Sequence, residues 1–506
     1  MNFEMENTVI PVLENTMLSD AECPIDGEYV LPEYCPDIAA VLKCSISPAV
    51  LSRQWSGDSV LVDGQSLVRV LYLDEERKCV RVFECVVPFS CSVAAGGISA
   101  DTLPQVAVRV GYINCRASGP RRIGIHGALK LTVQAELCKE QTVIGNIQGE
   151  RIYSRTSSFE CTAPIGTAEK NFTISETVDL GGGKPPAETL LRHTVTPIVS
   201  ACKQMTDKVI VKGRVILHTL YIADSESGVT VCTEHEFPFS QIIDFQGMDD
   251  TVQCTAMVEA WCHDMHITPD QNGDNTLLSV NIKLCAAVTA YQTQTCQVVS
   301  DAYSAVNPCN TDASTLHPRK LLCVREDTHT LKEVLELPSE SIHDIVDLWC
   351  EPMQSTVRLQ NSMTYVDGRL QICMLARDRD GGIAYYEHVT EYCLQNDIAC
   401  DVATANVNLT DIQYGIVGGK IEIRLEISLA LCCYTQHTCS ALTQISLGEE
   451  TYPEERAALR IRRAKKGDSV WEIAKGCHTA VQAVLDENEL DGDIVPQDMM
   501  ILVPLC

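Results

Sequence analysis

Apolar and polar residues alternate with a period of two through much of the first 447 positions. The run Lys420-Ile421-Glu422-Ile423-Arg424-Leu425-Glu426-Ile427 shows it most plainly. Successive side chains of an extended chain point to opposite faces, so this spacing buries one face and wets the other. The pattern predicts long antiparallel hairpins at 105–114 with 123–136, 251–263 with 276–291, and 405–414 with 420–434. Loops at 224–228, 269–275 and 378–382 carry the Gly, Asp and Asn that tight turns need. A short helical element is expected ahead of each unit, at 36–42, 186–193 and 341–349. After residue 458 the period changes. A short strand leads into Gly467-Asp468-Ser469-Val470-Trp471-Glu472-Ile473-Ala474-Lys475, then a second helical segment, then Met499-Met500-Ile501-Leu502-Val503-Pro504. That order predicts a compact βααβ module.

The strand words before residue 448 recur. Asp58-Ser59-Val60-Leu61-Val62-Asp63-Gly64 is echoed by Asp207-Lys208-Val209-Ile210-Val211-Lys212-Gly213 and by Ser362-Met363-Thr364-Tyr365-Val366-Asp367-Gly368. The glycines stand 213 − 64 = 149 and 368 − 213 = 155 residues apart, one domain length each. Val87-Pro88-Phe89-Ser90 and Phe237-Pro238-Phe239-Ser240 follow in the first two copies, and Val389-Thr390-Glu391-Tyr392 stands in their place in the third. The expected fold is mainly β. Three tandem antiparallel, sandwich-like repeats span 1–165, 166–312 and 313–447. An acidic linker follows at 448–458, with Glu449, Glu450, Glu454 and Glu455 leaving the module loosely tethered, and a small α+β (βααβ) module occupies 459–506.

Local chemistry marks both helix starts of that module. Ser469 with Glu472, and Thr479 with Gln482, have capping-box spacing. Gly476 stands where the first helix should stop, and Val481, Val484 and Leu485 form a stripe able to close over Val470 and Ile473. On these residues, from about Arg460 to Pro504, the segment resembles a LysM domain, a family that binds N-acetylglucosamine glycans and, in some members, proteins. Two positions depart from the family pattern: Arg462 stands where an aromatic residue is usual, and Pro496-Gln497 replaces Pro-Gly. The repeats, through Glu33-Tyr34-Cys35-Pro36-Asp37-Ile38 and Asp207 to Gly213, resemble the SPOCS domain of spore-coat assembly proteins of the SipL type. Three such units ahead of a LysM is the SipL arrangement.

The resemblance implies a non-enzymatic structural adaptor in the mother-cell cytoplasm, at the forespore surface. Its LysM would engage a coat-basement ATPase, stage IV sporulation protein A, beside other coat proteins. The alternative is a LysM that binds peptidoglycan or another N-acetylglucosamine glycan of wall or cortex. The groove of a LysM maps onto Gly467, Asp468, Ser469, Val470 and Trp471 on one side, and Leu490, Asp491, Gly492, Asp493 and Ile494 on the other, flanked by Leu459, Ile461, Arg462 and Arg463. Trp471 either packs the small core or anchors an interface. Asp468 also reads as a carboxylate favoured at a helix start. Arg460, Arg462, Arg463, Lys465 and Lys466 form a basic cluster, read either as cations guarding an edge strand or as a dock for an acidic partner.

Charge and composition narrow the partners. A formal net charge of −29 over 506 residues disfavours nucleic acid and anionic membranes. The N-terminus has no apolar leader core, and no apolar run is long enough to span a membrane, which argues against export and insertion. The 26 cysteines include no Cys-x-x-Cys pair and read mostly as small buried residues, with crosslinking of an assembled layer as the alternative. Cys262-His263 with His266, and Cys432-Cys433 with His437 and Cys439, lack structural-zinc spacing, so no metal or other cofactor is expected. Catalytic signatures such as Gly-x-Ser-x-Gly, His-Glu-x-x-His and the phosphate loop are missing. Gly181-Gly182-Gly183-Lys184-Pro185-Pro186 reads as a linker between repeats.

Overall fold

The structure, a computed structural model, describes residues 3–13, 17–76, 79–95, 105–135, 138–249, 251–336, 342–449, 451–452 and 458–504. Unit 1 comprises β1 (Glu4–Leu13), β2 (Met17–Val30), β3 (Ile38–Ser56), β4 (Ser59–Asp74), β5 (Val80–Ala94), β6 (Gln105–Gly119), β7 (Arg122–Ala135) and β8 (Cys138–Gln148). Unit 2 comprises β9 (Ile152–Asp179), β10 (Thr189–Met205), β11 (Lys208–Asp224), β12 (Val229–Asp244), β13 (Gln253–Thr268) and β14 (Leu277–Ser304). Unit 3 comprises β15 (Cys309–Leu316), β16 (Arg319–Glu336), β17 (Ile342–Gln360), β18 (Met363–Asp378), β19 (Ile383–Asn396), β20 (Val402–Val417), β21 (Lys420–Gln436) and β22 (Cys439–Leu447). The chain closes with β23 (Leu459–Ala464), α1 (Val470–Cys477), α2 (Val481–Glu487) and β24 (Met499–Pro504).

Each unit packs two antiparallel three-stranded sheets face to face. The orders are β3-β4-β5 on β2-β7-β6, β10-β11-β12 on β9-β14-β13, and β17-β18-β19 on β16-β21-β20. The alternation read from the sequence supplies both inner faces. In unit 3, Ile421, Ile423, Leu425, Ile427, Leu429 and Leu431 of β21 meet Val366, Leu370 and Ile372 of β18. The repeated glycines have a packing reason. Gly64, Gly213 and Gly368 lie directly opposite Phe89, Phe239 and Tyr392, whose rings fill the space a Cβ would need.

The first and last strands of every unit run on beyond the sandwich as a two-stranded ribbon. In unit 2 this is one continuous 28-residue strand, β9, against another, β14, and in units 1 and 3 the same course is divided into β1/β2 with β7/β8 and β15/β16 with β21/β22. The three ribbons bury Ile10, Val12 and Val143, Phe159, Cys161, Cys296 and Val298, and Leu316, Cys439 and Ala441 against one another to form a stem. The boundaries expected at 165/166 and 312/313 fall inside β9 and β15, because each unit begins with its ribbon and not with its sandwich.

The three short helices expected at 36–42, 186–193 and 341–349 are corrected to the starts of β3, β10 and β17. The cause is a set of β-bulges, at Ile38/Ala40 and Val41/Lys43, at Leu190/Arg192, and at Ile342/Asp344 and Ile345/Asp347. A bulge sets two residues against one, so apolar positions fall three apart and imitate a helical stripe. In β17, Ile342, Ile345 and Leu348 therefore face the unit 3 core, while Val346 and Trp349 face away into a second three-way cluster with Leu71, Leu73, Leu191, Leu220, Cys373 and Leu375.

Polar contacts close a ring around that cluster. Arg69 Nη1 donates to the His193 carbonyl at 3.3 Å, linking unit 1 to unit 2. Two guanidinium nitrogens of Arg192 reach Asp347 Oδ2 at 2.9 and 2.8 Å, linking unit 2 to unit 3. Lys43 lies 3.5 Å from Glu351 and 3.6 Å from Glu387, linking unit 1 to unit 3. The glycine-rich segment at 181–186 joins β9 to β10 within unit 2 rather than separating repeats, and the Tyr221 hydroxyl holds it by donating to the Pro185 carbonyl at 2.9 Å.

Candidate functional site

The C-terminal module folds around Ala464, Val470, Trp471, Ile473, Ala474, Cys477, Val484, Val495, Ile501 and Val503, so the stripe on α2 does close over Val470 and Ile473. Its caps differ from the expected boxes. Ser469 is the N-cap residue of α1, yet its hydroxyl donates to Asp493 at 3.1 Å rather than to its own helix. The Asp493 carboxylate accepts the free Trp471 N–H at 2.8 Å, placing negative charge at the positive end of the helix from the opposite loop. At α2, Thr479 donates to the Pro504 carbonyl and Ala480 is the N-cap residue. The first helix ends one residue beyond Gly476, at Cys477, with His478 in the left-handed region at φ 55°. Asn488 ties α2 to β24 by exchanging two hydrogen bonds with the Leu502 backbone.

The two loops assigned to the groove do meet. Ser469 and Ile494 form a bridge, Val470 N–H donates to the Asp493 carbonyl at 2.7 Å, and Val495 N–H to the Asp468 carbonyl at 2.9 Å. Asp468 additionally accepts the Lys465 N–H through its side chain at 2.9 Å, closing the turn. Exposure divides the residues. Gly467, Asp468, Asp491, Gly492 and Ile494 face solvent, Ser469, Leu490 and Asp493 are half-buried, and Val470 and Trp471 are buried.

Trp471 is turned toward the body of the protein. Its indole Nε1 donates to Asp301 Oδ2 at 2.8 Å, Lys475 reaches both oxygens of the same carboxylate at 2.8 and 2.7 Å, and the Tyr303 ring stands edge-on to the indole at 5.0 Å. The Tyr303 hydroxyl donates to the Thr479 carbonyl at 2.7 Å, and Arg155 pairs with Asp493 at 3.1 Å. Asp301 and Tyr303 belong to β14 and Arg155 to β9, so the module sits on the unit 2 ribbon. This corrects the loosely tethered arrangement expected from the acidic linker. Of that linker, Glu450, Glu454 and Glu455 lie outside the described residues. The dock was illegible in the sequence, since its partners are 170 or more positions apart and no spacing signals them.

The flanking strand leaves an apolar face outward. Leu459 and Ile461 of β23 stand opposite Pro504 and Leu502, and Ile461 is 59% exposed with Ile494 at 58% and Met500 at 56%. Arg463, paired with Met500, shares the face of Ile461, and the exposed Arg462 lies on the other face of the strand with its guanidinium beside Gly476 of α1.

The two cysteine–histidine clusters do not converge. Cys262 faces Gln65, His263 stands edge-on to His193 at 4.8 Å, and His266 pairs with Asp264. His437 stacks on Phe159, while Cys439 lies in the stem. Among the described residues no group of three or more His, Cys, Asp or Glu is placed to hold a metal ion, and no helix is long and apolar enough to cross a membrane.

Comparison with known families adds the remaining evidence. The family model described as SipL, SPOCS domain matches residues 37–118 and 186–266. Those segments cover β3 to β6 of unit 1 and most of β10 to β13 of unit 2, the same four strands in each. The match supports a sporulation-related protein of SipL type. No curated protein and no solved structure matches the chain.

Proposed function

We propose that this chain is a non-enzymatic adaptor in spore-coat assembly, working in the mother-cell cytoplasm at the forespore surface. Its three units act as SPOCS-like spacers, and its C-terminal module, a LysM-like fold, engages a coat-basement ATPase of the stage IV sporulation protein A type. The observation that carries the reading is the double match to the SipL, SPOCS domain model at equivalent strands of two units. With Trp471 docked, the reading assigns the contact to the exposed apolar side chains of the module, Ile461 with Arg463 on its face and Ile494 of the loop. Many adaptors on one surface turn a modest contact into a durable one, because tethering raises effective concentration.

Binding of the full chain to an immobilised coat-basement ATPase tests the reading. Ile461→Asp with Ile494→Asp should weaken binding by about tenfold or more, as loss of an apolar anchor does, and added salt should weaken it further through Arg463. Unchanged binding by the double variant overturns this site. Saturable binding to N-acetylglucosamine oligomers in its place overturns the adaptor reading in favour of a glycan receptor.

A further inference from the structure

Two pairs of cysteines bridge the sheets of units 1 and 2 at the same pair of strands. Cys202 of β10 and Cys254 of β13 bring their sulfurs to 3.0 Å, and Cys44 of β3 lies in the buried core of unit 1 with Cys115 of β6 packed against that core, within reach of its thiol. The pairs are not copies of one another. In the register with the central strand, Cys44 stands opposite Val70, past the repeated Gly64, whereas Cys202 stands opposite Val211, ahead of the repeated Gly213. The residue of unit 2 that corresponds to Cys44 is His193, opposite Thr219, which lies as far past Gly213 as Val70 lies past Gly64. Both units thus place two thiols together across one seam at different heights, by different residues.

We propose that Cys44–Cys115 and Cys202–Cys254 are dithiol–disulfide sites, each closing into an intramolecular bond that staples one sheet of its sandwich to the other when a low-molecular-weight disulfide is present. Each pair has an inner, buried sulfur, Cys44 or Cys254, and a half-buried one, Cys115 or Cys202, that an oxidant can reach. The bond joins edge strands of facing sheets, where the backbone ladders do not cross, so it supplies a link the fold otherwise lacks. Within each pair one sulfur donates its hydrogen to the other. This raises the pKa of Cys44 and Cys202, and lowers that of Cys115 and Cys254. In unit 1 the accessible Cys115 is thus also the readier thiolate, whereas in unit 2 the readier thiolate is the buried Cys254, and the accessible Cys202 must give up its proton before it attacks.

The chemistry balances with oxidised glutathione as the co-reactant. The accessible sulfur of each pair, once deprotonated, attacks one glutathione sulfur, forming a mixed disulfide and releasing one glutathione thiolate. The inner sulfur then attacks the protein sulfur of that bond and releases the second. Two protein thiols are oxidised, one glutathione disulfide is reduced, and the two thiol protons end on the two glutathiones. Under a reducing poise both pairs stay open, as thiols hydrogen-bonded to each other.

The test uses the full chain equilibrated with graded ratios of oxidised to reduced glutathione, followed by alkylation and peptide mapping without reduction. The expected result is two linked peptides, Cys44 with Cys115 and Cys202 with Cys254. Melting of the oxidised chain should rise by about 5–10 °C over the reduced one, as closure of loops of this length implies. The combined substitution Cys115→Ser and Cys202→Ser should abolish that rise while leaving the reduced melting temperature close to that of the parent. The mapping on the parent chain stands even where the variant fails to fold. Absence of either linked peptide, persistence of glutathione adducts on these residues, or their pairing with other cysteines or other chains overturns the proposal.

Discussion

Units 2 and 3 share a strand order and hang from one stem, but they hold the shape with different side chains. Gly213 is hemmed in first by the Ile198 carbonyl and then by the Phe239 ring, whereas the nearest neighbour of Gly368 is the Tyr392 phenol. Tyr221 pins the Pro185 loop, and the position of unit 3 at the same step beyond its glycine is Ala376, which has no hydroxyl to offer. At the seam between units, His193 corresponds to Leu348, since their partners Thr219 and Met374 lie equally far past Gly213 and Gly368. Unit 2 matches the SipL, SPOCS domain model over 186–266 and the match stops short of unit 3. What survives between them is backbone geometry: a bulged second strand, a glycine facing an aromatic ring, and a polar turn. A sandwich of this kind tolerates new side chains as long as those three features remain.

The largest effect is expected where the compared units join. Arg192→Ala removes the partner of Asp347, a carboxylate only 5% exposed, and the cation that lies 4.5 Å from the centre of the Trp349 ring. Stranding a buried charge costs about 3–5 kcal/mol, so denaturant unfolding should show unit 3 separating from unit 2 at lower denaturant. A single unshifted transition would break the idea that this pair joins them.

Next come the two glycines. Gly213→Ala forces a methyl against the Ile198 carbonyl and should cost about 3 kcal/mol, while Gly368→Ala meets the side chain of Tyr392 first and should cost about 1 kcal/mol, within the range for overpacking. Unfolding midpoints of the two variants measure the gap. Equal losses would show that the ring, not the carbonyl, sets the constraint.

These contrasts also mark what the sequence could disclose. The alternation of 420–427 was legible because one face of β21 is buried and the other wet, and the repeated glycines were visible as words even though their aromatic partners lie across the sheet. The bulged starts of β3, β10 and β17 were misread because two-against-one pairing imitates a helical stripe. In the module the βααβ order was legible from Ser469, Trp471 and the α2 stripe. Its dock was not, because Asp301, Tyr303 and Arg155 lie in strands whose pattern only reports that they are strands. The capping boxes failed for a related reason: distant groups, Asp493 at α1 and the Pro504 carbonyl at α2, took the Ser469 and Thr479 hydroxyls from the local caps.

The smallest effect is a pH dependence confined to the seam between units 1 and 2. Burial first, and then the Arg69 guanidinium, push His263 down to about 4 from an ordinary 6.5, with Asp264 opposing. Burial likewise lowers His193, which faces Arg69, Arg192 and His263. A histidine held neutral in the fold contributes its full stability above about pH 6.5. That contribution is lost as the pH falls toward 4, because the unfolded chain takes up the proton first. Melting temperatures measured across this window should fall, and His263→Gln should flatten part of the slope. The Leu348 site of unit 3 supplies no such dependence, so a slope unchanged by the substitution would place its origin elsewhere.

The ribbons have one further consequence. Glu4 pairs with Gln148, Ile152 with Ser304, and Cys309 with Leu447, so the chain enters and leaves every sandwich at a single point. Each sandwich is therefore a cassette clipped in by its two ends, with only a few residues passing from one to the next. A gene that copied such a cassette in tandem would add a lobe without rethreading its neighbours, and a cyclic rearrangement of the order would leave every internal pairing intact.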